Sequence, residues 1–169
     1  MSTSTYTVAT VLAALALAAG THAAFQQTPT LGYNSYNAVS CSPNETWFRA
    51  TIDALQSQGF VDAGYNIAQI DCGWQARDRS RNAAGAINTD TNAFPSGIKA
   101  MSDYANSKGM KWAMYSDAGL LACDPTVPSP VLGSLGHEDA DAKQFADWGV
   151  YTVKVSVAPM HEKLSVEPI

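Results

Sequence analysis

The sequence predicts an α/β fold in which helices cover a parallel sheet. Four short apolar segments alternate with three segments of helical periodicity, in the order β-α-β-α-β-α-β. The apolar segments end abruptly in polar side chains, which is typical of parallel strands whose carboxyl ends open onto a site. Right-handed crossovers are expected between successive strands.

The predicted strands are residues 31–34, 65–70, 110–117 and 150–154. The third is the clearest, because an apolar and aromatic run ends there in Tyr115, Ser116 and Asp117. A long polar connection, residues 75–95, follows the second strand. A connection of this length inside a compact domain is usually a binding loop.

The predicted helices begin near residues 42, 96 and 138, and a glycine follows each of them. In the first helix, Ser42 is the expected N-cap, Pro43 takes the first helical position and Glu45 completes a capping box. Helical spacing also predicts which side chains point inward. These are Phe48, Ile52, Leu55, Ile98, Met101, Ala105, Ala142, Phe145 and Ala146.

Composition narrows the class of partner. The chain has 169 residues, of which 46% are hydrophobic and 15% charged, which is typical of a globular protein. A formal charge of −5 argues against nucleic acid and against an anionic membrane as partners, and it suits a neutral substrate. No strand-to-helix turn carries a glycine-rich phosphate loop, so a nucleotide fold is disfavoured.

The N-terminus predicts export. Residues 8–19 form an apolar run, and small residues follow it up to Ala24. Residues 1–24 are therefore expected to be a signal peptide of a secreted, extracellular protein, although no Lys or Arg precedes the run. The alternative is a membrane anchor, for which the run is too short.

Three cysteines, Cys41, Cys72 and Cys123, leave at least one thiol unpaired in an oxidising compartment. Their spacing and that of the histidines predict no metal site. Asn44, Glu45 and Thr46 form an N-glycosylation sequon, a triplet that also occurs by chance.

Polar and aromatic side chains stand at the end of every predicted strand or shortly after it. They are Asn34, Tyr36, Asp71, Trp74, Tyr115, Asp117 and Lys154. In a parallel arrangement these positions share one face. Carboxylates accept hydrogen bonds from adjacent hydroxyls and aromatic rings cover the apolar face of a pyranose, so this rim predicts a sugar site. Taken one at a time, several of these residues also have a purely structural interpretation. Asp71 could cap a helix, Trp74 and Tyr36 could belong to the core, Asp117 could form a turn and Lys154 could be solvated.

Seven segments occur in a characteristic order and spacing. They are Leu31-Gly-Tyr-Asn-Ser-Tyr-Asn, Asp62-Ala-Gly-Tyr, Ile70-Asp-Cys-Gly-Trp, Phe94-Pro-Ser-Gly-Ile-Lys, Ser107-Lys-Gly-Met-Lys, Tyr115-Ser-Asp-Ala-Gly and Phe145-Ala-Asp-Trp-Gly-Val. From residue 29 to residue 154 the chain resembles the α-galactosidase (melibiase) family, glycoside hydrolase family twenty-seven.

The resemblance implies the N-terminal half, about four β/α units, of a (β/α)8 TIM barrel, with the C-terminal half and a β-sandwich domain missing. It implies retaining hydrolysis of terminal α-D-galactosyl residues in melibiose, raffinose and galactomannan. The implied partners are thus α-galactoside sugars, and no cofactor is implied.

Carried over by position, the resemblance implies the substrate contacts. Tyr36 stands where the family usually has a tryptophan packing on the galactose, and Tyr115 and Lys154 match family contacts. Asp71 matches the first carboxylate of a pair that holds the sugar hydroxyls, while Cys72 replaces the second and leaves a thiol among the substrate contacts.

The family's disulfides also bear on this chain. Cys123 matches a cysteine whose partner should follow the fourth strand. Cys41 matches another whose partner position is Gly73, and a Cys41–Cys72 bridge is the open alternative.

The chain departs from the family after Lys154. Ser156 stands at the position of the nucleophilic aspartate, and no downstream acid/base aspartate matches, so no catalytic residue is assigned and inactivity is expected. The predicted organisation is signal peptide 1–24, partial barrel 25–154 and non-family tail 155–169. One hypothesis is that the tail is a translated intron. Functional alternatives are an α-N-acetylgalactosaminidase, a β-L-arabinopyranosidase or a non-catalytic galactose binder.

Overall fold

The computed structural model describes residues 29–124 and 131–157. The chain divides between Thr30 and Leu31, and the fold below is that of the second unit. Its strands are β1 (Gly32–Asn34), β2 (Ile67–Gln69), β3 (Lys111–Asp117), β4 (Leu121–Ala122), β5 (Val131–Leu132) and β6 (Thr152–Ser156). Its helices are α1 (Tyr36–Val39), α2 (Glu45–Ser57), α3 (Gly97–Ser107) and α4 (Glu138–Asp147). The predicted signal peptide and the tail beyond residue 157 lie outside the described residues.

β1, β2, β3 and β6 form one parallel sheet in that order, which confirms the predicted α/β architecture. One row across the sheet consists of Asn34, Gln69, Ala113 and Thr152. In the next row on the same face Tyr115 is paired with Lys154, and Asp71 lies two residues beyond Gln69. The register therefore brings the carboxyl ends of the strands, and the predicted rim residues, to one place.

The core lies between the sheet and the three longer helices. Phe48 of α2 packs edge-on against Trp112 of β3, with ring centroids 4.9 Å apart. Trp74, just beyond β2, is fully buried and packs against Phe145 of α4 at 5.8 Å. The predicted inward residues of α2 and α3 are confirmed, since Phe48, Ile52, Ile98, Met101 and Ala105 are buried and Leu55 packs on them.

Asn44, and not Ser42, caps α2. Its Oδ1 accepts a hydrogen bond from Trp47 N at 2.9 Å. Ser42 belongs to the preceding turn, because its N–H donates to Val39 O at 3.0 Å. The predicted capping box is wrong as well, because Glu45 Oε2 accepts instead from the backbone N–H at residue 96, at 2.9 Å, which ties α2 to the start of α3.

The buried face of α4 also differs from the prediction. Phe145 is buried as predicted, but Ala142 and Ala146 are exposed, and Asp141 takes the inner position. Asp141 Oδ1 accepts hydrogen bonds from the Arg81 guanidinium at 3.0 Å and from a backbone N–H of the same loop at 2.9 Å. This long-range pair, which helical periodicity cannot register, decides which way the helix faces.

The connection between β2 and α3 folds back on itself through two antiparallel bridges, Gln75 with Thr89 and Arg81 with Ile87. Arg81 also donates to the carbonyl oxygen of Gly133 at 2.6 Å. The long connection is thereby fixed to the segment after β5. The short antiparallel pair β4–β5 was not predicted.

Candidate functional site

Asp71 is the centre of the rim at the carboxyl ends of the strands. Its Oδ2 accepts hydrogen bonds from Asn34 Nδ2 at 2.9 Å and from Lys154 Nζ at 2.7 Å. Cys72 N donates to Oδ1 at 3.0 Å, and Asp71 N donates to Ser35 Oγ at 2.9 Å. The carboxylate is 3% exposed and the lysine side chain 48% exposed. The ends of β1, β2 and β6 thus fix one carboxylate behind one accessible ammonium.

Two tyrosine rings flank the Lys154 ammonium. Nζ lies 5.1 Å from the centroid of the Tyr115 ring and 6.0 Å from that of Tyr36. At these distances the ring faces attract a cation. The Tyr36 side is open to solvent, whereas Tyr115 is buried. The predicted residues Tyr36, Asp71, Tyr115 and Lys154 therefore form one cluster, which is called the rim cluster below.

Burial raises the pKa of Tyr115 well above its usual range, and the nearby Asp117 charge raises it further. Its hydroxyl therefore stays protonated and is held as a hydrogen-bond donor. The Tyr115 hydroxyl oxygen lies 3.5 Å from Asp117 Oδ2, which is long for a hydrogen bond. Asp117 is fully buried, and its Oδ1 accepts from Gly119 N at 2.8 Å, so this residue shapes the turn after β3.

Trp74 belongs to the core rather than to the rim. It is fully buried, and its indole N–H donates to Tyr115 O at 2.8 Å. Because this bond crosses from the end of β2 to β3, Trp74 positions the Tyr115 backbone. Of the two interpretations of Trp74, a core aromatic or a residue of the sugar site, the first is correct.

Ser156 is the last residue of β6 and is paired with Asp117 in the register. Its side chain is half-buried. Val155 and Ser156 continue the strand without a break, although both belong to the predicted non-family tail.

Cys72 forms a disulfide with Cys41, with Cα atoms 4.7 Å apart. Of the two alternatives for these cysteines, the structure has the bridge, so Cys72 carries no free thiol, and its predicted contact with substrate stays a prediction. Gly73 explains why the bridge uses residue 72. Its φ is +95°, and a Cβ there would collide with the Cys41 carbonyl oxygen, so no cysteine fits. Cys123 is a free, exposed cysteine.

Ser35, whose hydroxyl oxygen accepts a hydrogen bond from the Asp71 backbone N–H, was not among the predicted site residues. The available signal was its place between Asn34 and Tyr36, directly after the first strand. The predicted binding loop forms an open cavity of about 490 Å³, which residues between 76 and 92 line. Arg77 lines that cavity and pairs with Asp124 at 2.6 Å.

Within the described ranges, no group of three or more His, Cys, Asp or Glu side chains is placed to hold a metal ion. In the same part of the chain, no helix has the length and apolar character required to cross a membrane.

Comparison with known proteins agrees with this architecture. Residues 32–167 match the family described as Alpha galactosidase A. Alpha-galactosidase 2 of Arabidopsis thaliana is 46% identical over 126 residues, which are 75% of this chain and 30% of that protein. Alpha-galactosidase I from Mortierella vinacea superposes with a TM-score of 0.71 at 35% identity, over 78% of this chain and 31% of that one.

An alpha-galactosidase from Saccharomyces cerevisiae, solved with raffinose, superposes with a TM-score of 0.70 at 29% identity. That match covers 78% of this chain and 27% of the yeast chain. The family match continues past Lys154 to residue 167, so the boundary at residue 154 stays a prediction.

The chain spans about 30% of the length of the Arabidopsis relative and of the Mortierella structure. Its four parallel strands and their helices are partial β/α units of the TIM barrel that these relatives share. The chain therefore belongs to the melibiase family of α-galactosidases.

Proposed function

We propose that the rim cluster binds the terminal galactosyl group of an α-galactoside. The observation that supports this most directly is the Asp71 carboxylate, held by Asn34 and Lys154 and flanked by two tyrosine rings. It lies at the carboxyl ends of parallel strands, where β/α proteins keep their ligand sites.

The chemistry of the cluster fits a neutral, hydroxyl-rich ligand. The 2.7 Å pair of Asp71 and Lys154 leaves no net charge for an ionic ligand to neutralise. The ammonium offers N–H donors to sugar oxygens, and the carboxylate retains lone pairs for hydroxyl donors. The exposed Tyr36 ring offers the flat apolar surface on which a pyranose face packs.

Retaining hydrolysis is the activity that the family implies, but we expect this chain to bind without hydrolysing. That reaction uses two carboxylates about 5 Å apart. By the family resemblance Ser156 stands at the nucleophile position, and its hydroxyl would need an adjacent base to react. The two rim carboxylates are engaged, Asp71 by Lys154 and Asp117 by the turn after β3. Purified chain should release no product from a chromogenic α-galactoside, and turnover at an ordinary rate would contradict this expectation.

Titration calorimetry with methyl α-galactoside tests the binding proposal, with methyl α-glucoside as the epimeric control. Asp71→Asn should weaken the affinity about tenfold to a hundredfold, because a hydrogen bond to a charged group is worth about 1.5–3 kcal/mol. Asp103→Asn is the matched control, since Asp103 is exposed and its carboxylate pairs with Lys99 on the surface of α3.

Tyr36→Ala is a second variant for the same measurement. The Tyr36 ring is exposed and not part of the core, so this variant should fold normally. It should weaken binding of the galactoside. Folded parent chain that gives no heat, or that binds the glucoside equally well, would overturn the proposal.

We further propose that the protein is secreted. The predicted N-terminal signal and the Cys41–Cys72 disulfide both support an oxidising compartment.

A further inference from the structure

We propose that Asn44 is an N-glycosylation site whose amide also caps helix α2. Asn44, Glu45 and Thr46 form the acceptor triplet, and the middle residue is not proline. This inference is independent of sugar binding at the rim cluster.

The fold leaves both ends of the triplet accessible. Asn44 and Thr46 are exposed at the start of α2, whereas Phe48, two residues further on, is fully buried. A glycan is bulky and hydrated, so only surface positions accept it. The acceptor therefore lies at the solvent side of the helix start and not in the core beneath it.

The capping bond uses the oxygen of the Asn44 amide and not its nitrogen. Oδ1 accepts from Trp47 N at 2.9 Å, while Nδ2 has no hydrogen-bond partner within the described residues. Glycosylation joins Nδ2 to C1 of an oligosaccharide. The bond from C1 to the pyrophosphate oxygen of the lipid-linked donor breaks, the lipid pyrophosphate leaves and Nδ2 loses one proton. Because Oδ1 is unchanged, the modified asparagine still caps the helix.

The experiment is secretion of the full chain from yeast, once with its own N-terminus and once behind the host's leader. The second form removes any dependence on the predicted signal peptide. Chain that has lost the leader is treated with peptide N-glycosidase. We expect a loss of mass, and peptide mass spectrometry should find aspartate at residue 44 after the treatment.

Matched variants separate the glycan from the cap. Thr46→Ser keeps the triplet and should be modified like the parent, whereas Thr46→Ala should lose the modification with the Asn44 cap intact. Asn44→Asp should also lose the glycan, yet it should keep the helix, because aspartate caps as well as asparagine. Leader-processed parent chain without an enzyme-sensitive glycan would overturn the proposal, as would a glycan that persists in Thr46→Ala.

Discussion

Replacing Asp141 with alanine is expected to destabilise the fold by about 3–5 kcal/mol, because the change leaves the charge of Arg81 without its partner. The side chains of this pair are 14% and 2% exposed, so the guanidinium would lose its carboxylate in a largely buried site. Asp141 also accepts the backbone N–H of Ile87 at 2.9 Å, and this donor would be left unpaired as well.

Urea unfolding followed by tryptophan fluorescence measures this effect. Trp74 packs against Phe145 of α4 and against Trp148, which directly follows that helix, so the summed tryptophan emission responds to the docking of α4. The matched control removes the exposed partner of Lys143 by Asp147→Ala. That pair has side chains 76% and 64% exposed and should contribute less than about 1 kcal/mol.

A double variant tests the reason for the effect. Combining Asp141→Leu with Arg81→Met removes both charges, and it should recover much of the stability that either change loses alone. An Asp141→Ala chain that unfolds at the urea concentration of the Asp147→Ala control would show that the pair does not hold the helix.

Removing the Cys41–Cys72 disulfide should cost about 3–4 kcal/mol of stability. The bridge closes a loop with a sequence separation of 31 residues, and the estimate follows from the lost constraint on the unfolded chain. Alanine at both positions suits the buried site. Cys123→Ala is the matched control, since that thiol is free and exposed, and its unfolding midpoint should stay near that of the parent.

The same variant should weaken galactoside binding. Cys72 N donates to Asp71 Oδ1, and Arg77 donates to Cys41 O at 3.1 Å, so the bridge holds the backbone behind the rim carboxylate. Calorimetry on the folded double variant measures this second effect. An unchanged unfolding midpoint together with unchanged affinity would show that the bridge stabilises neither the fold nor the site.

The strands were predictable because their signal is local. A short apolar run that ends in polar residues predicts both a buried strand and the position of its carboxyl end. Because the carboxyl ends of parallel strands lie on the same side of a sheet, the sequence also predicts that Asp71 and Lys154 lie close together, although they are 83 residues apart in the sequence. That the two side chains are in hydrogen-bond contact could not be predicted, because it depends on the register of the strands in the sheet.

The sequence-based predictions that were wrong concern residues whose roles depend on partners far away in the sequence. Helical spacing placed Ala142 and Ala146 inward, because it cannot register that Arg81, 60 residues before Asp141, recruits that carboxylate to the buried face. Trp74 lies close to the rim in sequence, but its ring fills the core behind β3. The sequence alone does not decide between the alternatives for Cys41, because the bridge to Cys72 depends on the backbone at Gly73, whose positive φ is known only from the fold.

The order β1-β2-β3-β6 has a consequence for synthesis. Each strand of this sheet pairs with the one made just before it, and none is inserted between two strands that are already paired. The sheet therefore grows at one edge in the direction of translation, one β/α unit at a time. At every stage the edge that receives the next strand belongs to the strand most recently added to this sheet, because β4 and β5 pair only with each other, so a ribosome-bound chain can assemble the sheet in order without undoing earlier pairing.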